Sequence, residues 1–220
     1  MFIFETTNEL CCLAKGRGEF YAKKGAMIGY KGDFRFEKSL LGPNNNRGAL
    51  GALMGYVKRN ITGENIELMT VEGDGEVYLA ENAYHVTVID LDPMDGVCVE
   101  SENILAFPKE MHYDVSFVGT GVISQRGLCS TQFTNKTNQI LSVAVLSDGN
   151  PLILEGPCAV DPDAVVCWTG RNPSIGTQVG WKTLIGQTSG ESYYLQFNEP
   201  GQKVIIQPSE RLSGLKLSID

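Results

Sequence analysis

Three nine-residue stretches decide the fold of this 220-residue chain: AKKGAMIGY (22–30), VESENILAF (99–107) and VDPDAVVCW (160–168). Each begins with a small or polar turn, continues with apolar residues and ends on an aromatic ring. The second and third stretches start 61 residues apart, and the first starts 77 residues before the second. Because recurrence of one pattern along a chain is the signature of repeated structural units, the sequence predicts a threefold internal repeat.

A second set of matching stretches alternates with the first: LMTVEGDGEVYLA (68–80), CSTQFTNKTNQILSVAV (129–145) and YLQFNEPGQKVIIQP (194–208). Each predicts a strand, a polar turn and a second strand, and in the earliest stretch the turn falls at Gly73-Asp74-Gly75. We therefore expect one domain built from three repeats. Their approximate bounds are 1–63, 64–126 and 127–190, with a closing hairpin at 191–220.

Alternation of apolar and polar residues indicates β-strands along most of the chain. Examples are Val86-Thr87-Val88-Ile89 and Val143-Ala144-Val145-Leu146, and 25 glycines and nine prolines punctuate such runs. Short strands at this spacing predict an all-β fold with bent ribbons or jelly-roll-like units.

One segment breaks the β pattern and predicts a short inserted helix over residues 48–62. Its apolar residues follow helical spacing, and Gly63 stands where the helix would end. The insertion accounts for most of the 16 extra residues between the first two repeats. Such a helix either closes an open barrel end or, over 48–63, contacts a subunit, a partner or a membrane surface. The residues of that interaction face are Leu50, Leu53, Met54 and Val57.

The charge distribution argues against a general nucleic-acid binder. The chain carries a net charge of −8, with +5 on residues 1–60 and −13 on residues 61–220. Binding to phosphate backbones needs a basic face, and the whole chain is acidic. A local basic face is still conceivable, formed by Lys15, Arg17, Lys23, Lys24, Lys31 and Arg35.

No pattern of residues predicts catalysis, a metal site or a cofactor. The six cysteines contain no C-x-x-C pair, and only His85 and His112 are present, so zinc and cupin-type ligand sets are missing. No nucleophile or phosphate-loop motif occurs. The run from Asp90 to Gly96 resembles a calcium loop but has Met94 where an oxygen ligand is needed and Ser101 where a glutamate is needed, so a polar turn is expected. We expect reduced, buried cysteines and no enzyme activity.

The aromatic rings that end the first three stretches are the candidate ligand-binding residues. Tyr30, Phe107 and Trp168 occupy one position in each predicted repeat. Rings at equivalent positions usually pack in a core. The alternative is a shared apolar pocket near the pseudo-threefold axis that would hold a small hydrophobic ligand.

Several stretches together resemble the altered-inheritance-of-mitochondria family, long described as a domain of unknown function. The resemblance rests on five stretches between roughly 15 and 210: GAMIGYKGDFRFE (25–37), GALGALMGYVKRNITGEN (48–65), GDGEVYLA (73–80), VDPDAVVCWTG (160–170) and LQFNEPGQKVIIQP (195–208). It implies a fold similar to the tryptophan RNA-binding attenuator protein and a homotrimer with internal pseudosymmetry. Fungal members of the family are associated with mitochondrial inner-membrane organisation, and no catalytic residues are implied.

The sequence also favours a location in the cytoplasm. The apolar start stops at Glu5, far short of the roughly 20 residues of a membrane span, and neither a signal peptide nor an Arg- and Ser-rich presequence is evident. We therefore expect a bacterial-type, cytoplasmic, non-enzymatic oligomeric scaffold or binding module. A small-ligand or nucleic-acid binder is the alternative, and a protein that associates with membrane surfaces through the 48–63 helix is the second alternative.

Overall fold

β-strands joined by tight turns form the chain in a computed structural model that describes residues 1–39, 68–118, 128–177 and 193–209. The only helical elements among these residues are two three-residue 3₁₀ turns, Ser101–Asn103 and Pro162–Ala164. The all-β prediction is thus confirmed. The strands in chain order are β1 (Phe2–Asn8), β2 (Cys11–Lys23), β3 (Met27–Ser39), β4 (Leu68–Leu79), β5 (His85–Leu91), β6 (Gly96–Glu100), β7 (Ile104–Pro108), β8 (His112–Val118), β9 (Leu128–Thr134), β10 (Leu141–Ser147), β11 (Leu152–Glu155), β12 (Cys158–Val160), β13 (Val165–Trp168), β14 (Ser174–Thr177), β15 (Tyr193–Phe197) and β16 (Lys203–Ile206).

These strands form three antiparallel sheets. The first sheet has the order β3-β4-β2-β7-β10-β5, with β1 also paired to β2. The second has the order β11-β16-β13-β6-β9-β8, and the third contains only β12-β15-β14. β15 and β16 lie in different sheets, because β15 pairs with β12 and β14 whereas β16 pairs with β11 and β13.

Three strands share the same irregularity one residue after their start. In β3, β7 and β13 the pairing with β4, β10 and β16 shifts by one residue, so one residue bulges out of each ladder. The bulged residues are Ile28, Leu105 and Val166, which are the seventh residues of the three stretches that opened the sequence analysis. A bulge sharpens the local twist of a strand and redirects its side chains.

The polar turns before β7 and β13 are built alike. The Glu100 carboxylate accepts a hydrogen bond from the Glu102 backbone N–H, and the Asp161 carboxylate accepts one from Asp163 N–H, each at 2.8 Å. These caps satisfy N–H groups that a 3₁₀ turn leaves without a backbone partner. The sequence prediction of polar turns at these two places is confirmed.

The turn predicted at Gly73-Asp74-Gly75 is wrong. β4 runs without interruption through these residues, and Gly75 pairs with Gly16 of β2 on one side and Gly32 of β3 on the other. All three glycines of this row, here called the glycine row, have positive φ, at 137°, 148° and 122°. Glycine alone adopts such angles readily, so the row lets three neighbouring strands change direction together without losing their pairing.

The glycine row also changes the interpretation of neighbouring residues. Gly16 and Gly18 lie inside β2, where β2 changes from pairing with β1 to pairing with β7, and not in a turn. Glu72, Asp74 and Glu76 likewise lie along β4. Glycine-rich stretches therefore lie inside strands in this part of the chain.

The core consists of three hydrophobic clusters. The first lies among β1–β5, β7 and β10 and includes Phe2, Phe20 and Leu105. The second lies between the first two sheets around Phe107 and Phe133. The third, around Trp168 and Phe197, lies between the second and third sheets. Packing therefore continues from one sheet to the next along the chain.

Two strand pairs connect successive parts of the chain with the same register. β2 pairs with β7 through Tyr21–Phe107 and Ala22–Ala106. β6 pairs with β13 through Cys98–Trp168 and Val99–Cys167. In both cases the fourth residue of the later strand faces a residue that lies six positions before the first residue of β3 or β7.

Candidate interaction edges

The first half of β3 presents an open strand edge with apolar side chains. Within the described residues, β3 pairs only with β4 and forms one end of its sheet. Ile28 is 62% exposed and Tyr30 is 50% exposed, although β3 belongs to a sheet that packs on the hydrophobic core. Unpaired edges carrying exposed apolar side chains are sites for strand addition.

The counterparts of these two residues are buried. Leu105 and Val166 occupy the bulge positions of β7 and β13 and are fully buried, while Phe107 and Trp168 are each 1% exposed. The difference follows from strand order, because β7 is covered by β2 and β13 by β6. The exposure of Ile28 and Tyr30 therefore goes with the lack of a covering strand among the residues that the structure describes.

The second open edge belongs to β12. In the described part of the chain, β12 pairs with β15 alone and ends the three-stranded sheet. Ala159 is exposed, whereas Tyr21 and Cys98, at the matching positions of β2 and β6, are buried. Among the described residues, β3 and β12 are thus two of the six strands that end a sheet; the others are β5, β8, β11 and β14.

The three candidate aromatic rings do not share one cluster. Phe107 packs in the second hydrophobic cluster and Trp168 in the third. The Tyr30 ring lies against Phe34 and Phe36, with ring centroids 5.9 and 5.5 Å apart. A ligand-binding role for the three rings stays a prediction, and the positions of Phe107 and Trp168 are those of core residues.

An apolar surface depression of about 470 Å³ adjoins the open edge of β3. Ile28 forms one wall, and the β1–β2 turn with exposed Leu10 forms another. The lining residues are Asn8, Glu9, Leu10, Cys11, Ile28, Ala80 and Ala83. Depressions lined mainly by apolar groups bind hydrophobic partners or ligands.

The basic residues of the predicted nucleic-acid face are largely paired with acids. Glu76 lies 3.0 Å from the Lys15 ammonium and 3.7 Å from that of Lys31. Asp74 lies 4.0 Å from Arg17, and Lys23 forms a 2.6 Å ion pair with Glu81. Charges balanced in this way leave little net positive potential for binding phosphate.

Glu76 gives this charged face a specific pH dependence. Hydrogen bonds from Lys15 and Tyr78 lower the pKa of the Glu76 carboxyl below its usual value. A carboxylate with a lowered pKa stabilises the fold above the pKa of the unfolded chain, and this stabilisation is lost as the pH falls. We expect the Glu76→Gln variant to unfold at a lower temperature than wild type at pH 7, with a difference that shrinks toward pH 3.

Thermal unfolding followed by circular dichroism at several pH values measures this difference. The Glu110→Gln variant is the control, since Glu110 is exposed and lies in the turn between β7 and β8. A difference between wild type and Glu76→Gln that stays constant from pH 7 to pH 3 would contradict the assigned role. High salt should reduce the difference because the pairs are exposed.

Cysteines and acidic residues form no metal site in the part of the chain that the structure describes. Cys11, Cys12, Cys98, Cys158 and Cys167 are free thiols there. Burial raises the pKa of Cys12 and Cys167 to about 12, and that of Cys98 to about 11. Thiols with such values are poor nucleophiles at neutral pH.

The predicted interaction helix lies outside the described residues, and so do Leu50, Leu53, Met54 and Val57. The two open edges were not found from the sequence. Ile28 has the same local pattern as Leu105 and Val166, so no nearby residue marks it as exposed. Its exposure depends on which strand lies beside it.

Known proteins resemble the chain at the level of family and fold. The family model described as Mitochondrial biogenesis AIM24 matches residues 9–209. The crystal structure of protein SPYM3_0169 from Streptococcus pyogenes is similar, with a TM-score of 0.63 and 17% sequence identity. The match covers 96% of this chain and 94% of that one, and at this identity it shows a shared fold alone. No curated protein matches the chain. Among the described residues there is no helix with the length and hydropathy needed to cross a bilayer.

Proposed function

Because this chain belongs to the AIM24 family, we propose that it acts as a non-enzymatic scaffold that assembles from several copies of itself. The observation that carries this proposal is the contrast between Ile28 and its buried counterparts Leu105 and Val166. Leu105 and Val166 are buried because a neighbouring strand covers them. We therefore infer that β3, which carries Ile28, also gains a neighbouring strand. Fully burying one such side chain contributes about 1.5–3 kcal/mol.

A threefold repeat is part of this proposal. The pairings β3–β4, β7–β10 and β13–β16, with their three equivalent bulges, support it. So do the pairings of β8 with β9 and of β14 with β15. We infer repeat bounds of 11–79, 85–147 and 152–206, which differ from the bounds expected from sequence because β15 and β16 pair with strands of the third unit. A ribbon fold like that of the tryptophan RNA-binding attenuator protein is consistent with these units.

We propose that three copies of the chain assemble, since the family resemblance implies a homotrimer. The charge distribution favours contacts between unlike ends, because residues 1–60 carry +5 and the rest of the chain −13. Opposite net charges steer association and disfavour contacts between two like ends. A cytoplasmic location is proposed with it.

Native mass spectrometry of wild type and two matched lysine variants tests the scaffold. We expect a trimer for wild type and mostly monomer for Ile28→Lys, because a buried ammonium without a partner is costly at an interface. Ile140→Lys is the control, since Ile140 is 56% exposed and lies on a turn away from β3. It should leave the mass unchanged.

A monomeric wild-type chain at micromolar concentration would contradict the scaffold proposal. Equal dissociation of both lysine variants would contradict the role of Ile28. Binding of a small hydrophobic ligand is a second candidate, favoured by the depression beside Ile28 and Leu10. The same spectra report it as a reproducible adduct on protein purified from its own host.

A further inference from the structure

The open edges of β3 and β12 are complementary to each other. We propose that β12 of one copy pairs antiparallel with the first half of β3 of a second copy, so that copies join head to tail. This inference rests on the proposed self-association and names the surfaces and the register that produce it. The partner is therefore a second copy of this chain.

Two strand pairs inside the chain serve as templates for this contact. In the first pair, Phe107, the fourth residue of β7, faces a residue of β2. In the second pair, Trp168, the fourth residue of β13, faces a residue of β6. These residues are Tyr21 in β2 and Cys98 in β6, which lie six positions before Met27 and Ile104. Ala159 lies six positions before Val165 and is the matching residue of β12.

The templates fix the register between copies residue by residue. Tyr30 is the fourth residue of β3, so it faces Ala159 of the other copy. The pair Ala22–Ala106 and its equivalent Val99–Cys167 place Gly29 opposite Val160. The pair Phe20–Pro108 places Lys31 opposite Cys158.

The sheets support the same contact. The second sheet is made of two triplets, β11-β16-β13 and β6-β9-β8, joined where β13 pairs with β6. The third sheet, β12-β15-β14, matches the second of these triplets but has no first triplet attached among the described strands. β2, β4 and β3 form the matching triplet at the other end of the chain. Joining β12 to β3 thus completes a six-stranded sheet that already exists once in the molecule.

The hydrophobic clusters continue across this contact. Leu105 of β7 packs into the first cluster, and Val166 of β13 packs into the second, so each bulged residue enters the cluster that precedes its own strand. By the same relation Ile28 enters the third cluster of the neighbouring copy. Exposed Ile28 and Ala159 are then both covered, as their counterparts are inside the chain.

Disulfide trapping in the full-length chain tests this register. In the Lys31→Cys variant the new thiol faces the native Cys158 of the other copy, and mild oxidation should convert most of the protein to disulfide-linked chains. The Tyr30→Cys/Ala159→Cys double variant tests the next pair. Adjacent antiparallel pairs alternate between Cα separations of about 4.5 and 5.5 Å, and both separations lie within disulfide range.

The controls are matched in exposure and position. Asp33→Cys places an exposed thiol two residues further along β3 and should cross-link far less. Lys31→Cys combined with Cys158→Ser should not cross-link. Mixing isotope-labelled and unlabelled chains identifies bonds between copies, since only these give peptides with mixed labels.

Each outcome decides between the two proposals. Mixed-label peptides joining residues 31 and 158 support the head-to-tail contact. A bond within one chain, or equal cross-linking of Asp33→Cys, overturns it. If wild type is oligomeric by mass but neither cysteine pair cross-links, the register is wrong and the scaffold stands. If wild type is monomeric, both proposals fail.

Discussion

Replacing Gly75 by alanine is expected to destabilise the chain by about 3 kcal/mol or more, or to prevent folding. Gly75 has a φ of 137°, which residues with a side chain rarely adopt. A Cβ there would lie closer than 3.0 Å to the Lys31 backbone carbonyl oxygen, a separation that real Cβ atoms essentially never show. Because Lys31 belongs to the paired strand β3, relief would require separating two strands. Urea unfolding followed by circular dichroism measures the loss.

Gly29→Ala is the matched control for this substitution. Gly29 lies on β3, has no positive φ, and nothing lies within 4 Å of a Cβ built there. Its counterparts in β7 and β13 are Ala106 and Cys167, so a methyl group fits the position. We expect a change within about 0.5 kcal/mol. Similar stability of Gly75→Ala and Gly29→Ala would show that the glycine row does not constrain the fold.

Replacing Phe107 by alanine is expected to cost about 3–5 kcal/mol of unfolding free energy. The ring is 1% exposed and lies against three other rings, with centroid distances of 5.4 Å to Tyr21, 5.3 Å to Tyr113 and 4.9 Å to Phe133. Removing it leaves a cavity where β2 and β7 pair. Because that strand pair connects the first and second clusters, we expect the whole described fold to become less stable or to unfold less cooperatively.

Two further variants separate the cavity from a general effect of truncation. Phe107→Leu keeps most of the volume and should cost less than Phe107→Ala. Ile153→Ala removes an exposed side chain of β11 and should be close to neutral. Urea unfolding of all three variants gives the comparison. A cost for Phe107→Ala no larger than that for Ile153→Ala would contradict the packing described here.

Local sequence patterns correctly predicted strands and several turns. The carboxylates Glu100 and Asp161 cap the turns before β7 and β13, because capping needs only residues that are neighbours in sequence. The same reasoning was wrong at Gly73–Gly75, where β4 continues. Glycine permits an unusual backbone angle, but a chain reverses there only if its two halves pair with each other. In β4 both halves pair with β2 and β3 instead.

The candidate site likewise combines features that the sequence predicted with features that it did not. The three stretches place Tyr30, Phe107 and Trp168 at one predicted position, yet one ring is half exposed and two are buried. The local patterns are alike, so they carry no information about that difference. It arises because β2 covers β7 and β6 covers β13, while β3 has no such neighbour among the described residues.

The sequence by itself therefore determined the strands, the polar turns before β7 and β13, the family and the balance of charge between the two ends of the chain. Each of these depends on side-chain chemistry within a few residues, or on composition. Only the tertiary structure decided that β4 continues through the glycine row, that β15 and β16 lie in different sheets, and that β3 and β12 end their sheets among the described residues. Those features depend on hydrogen bonds between strands that are far apart in sequence, whose pairing no local pattern specifies.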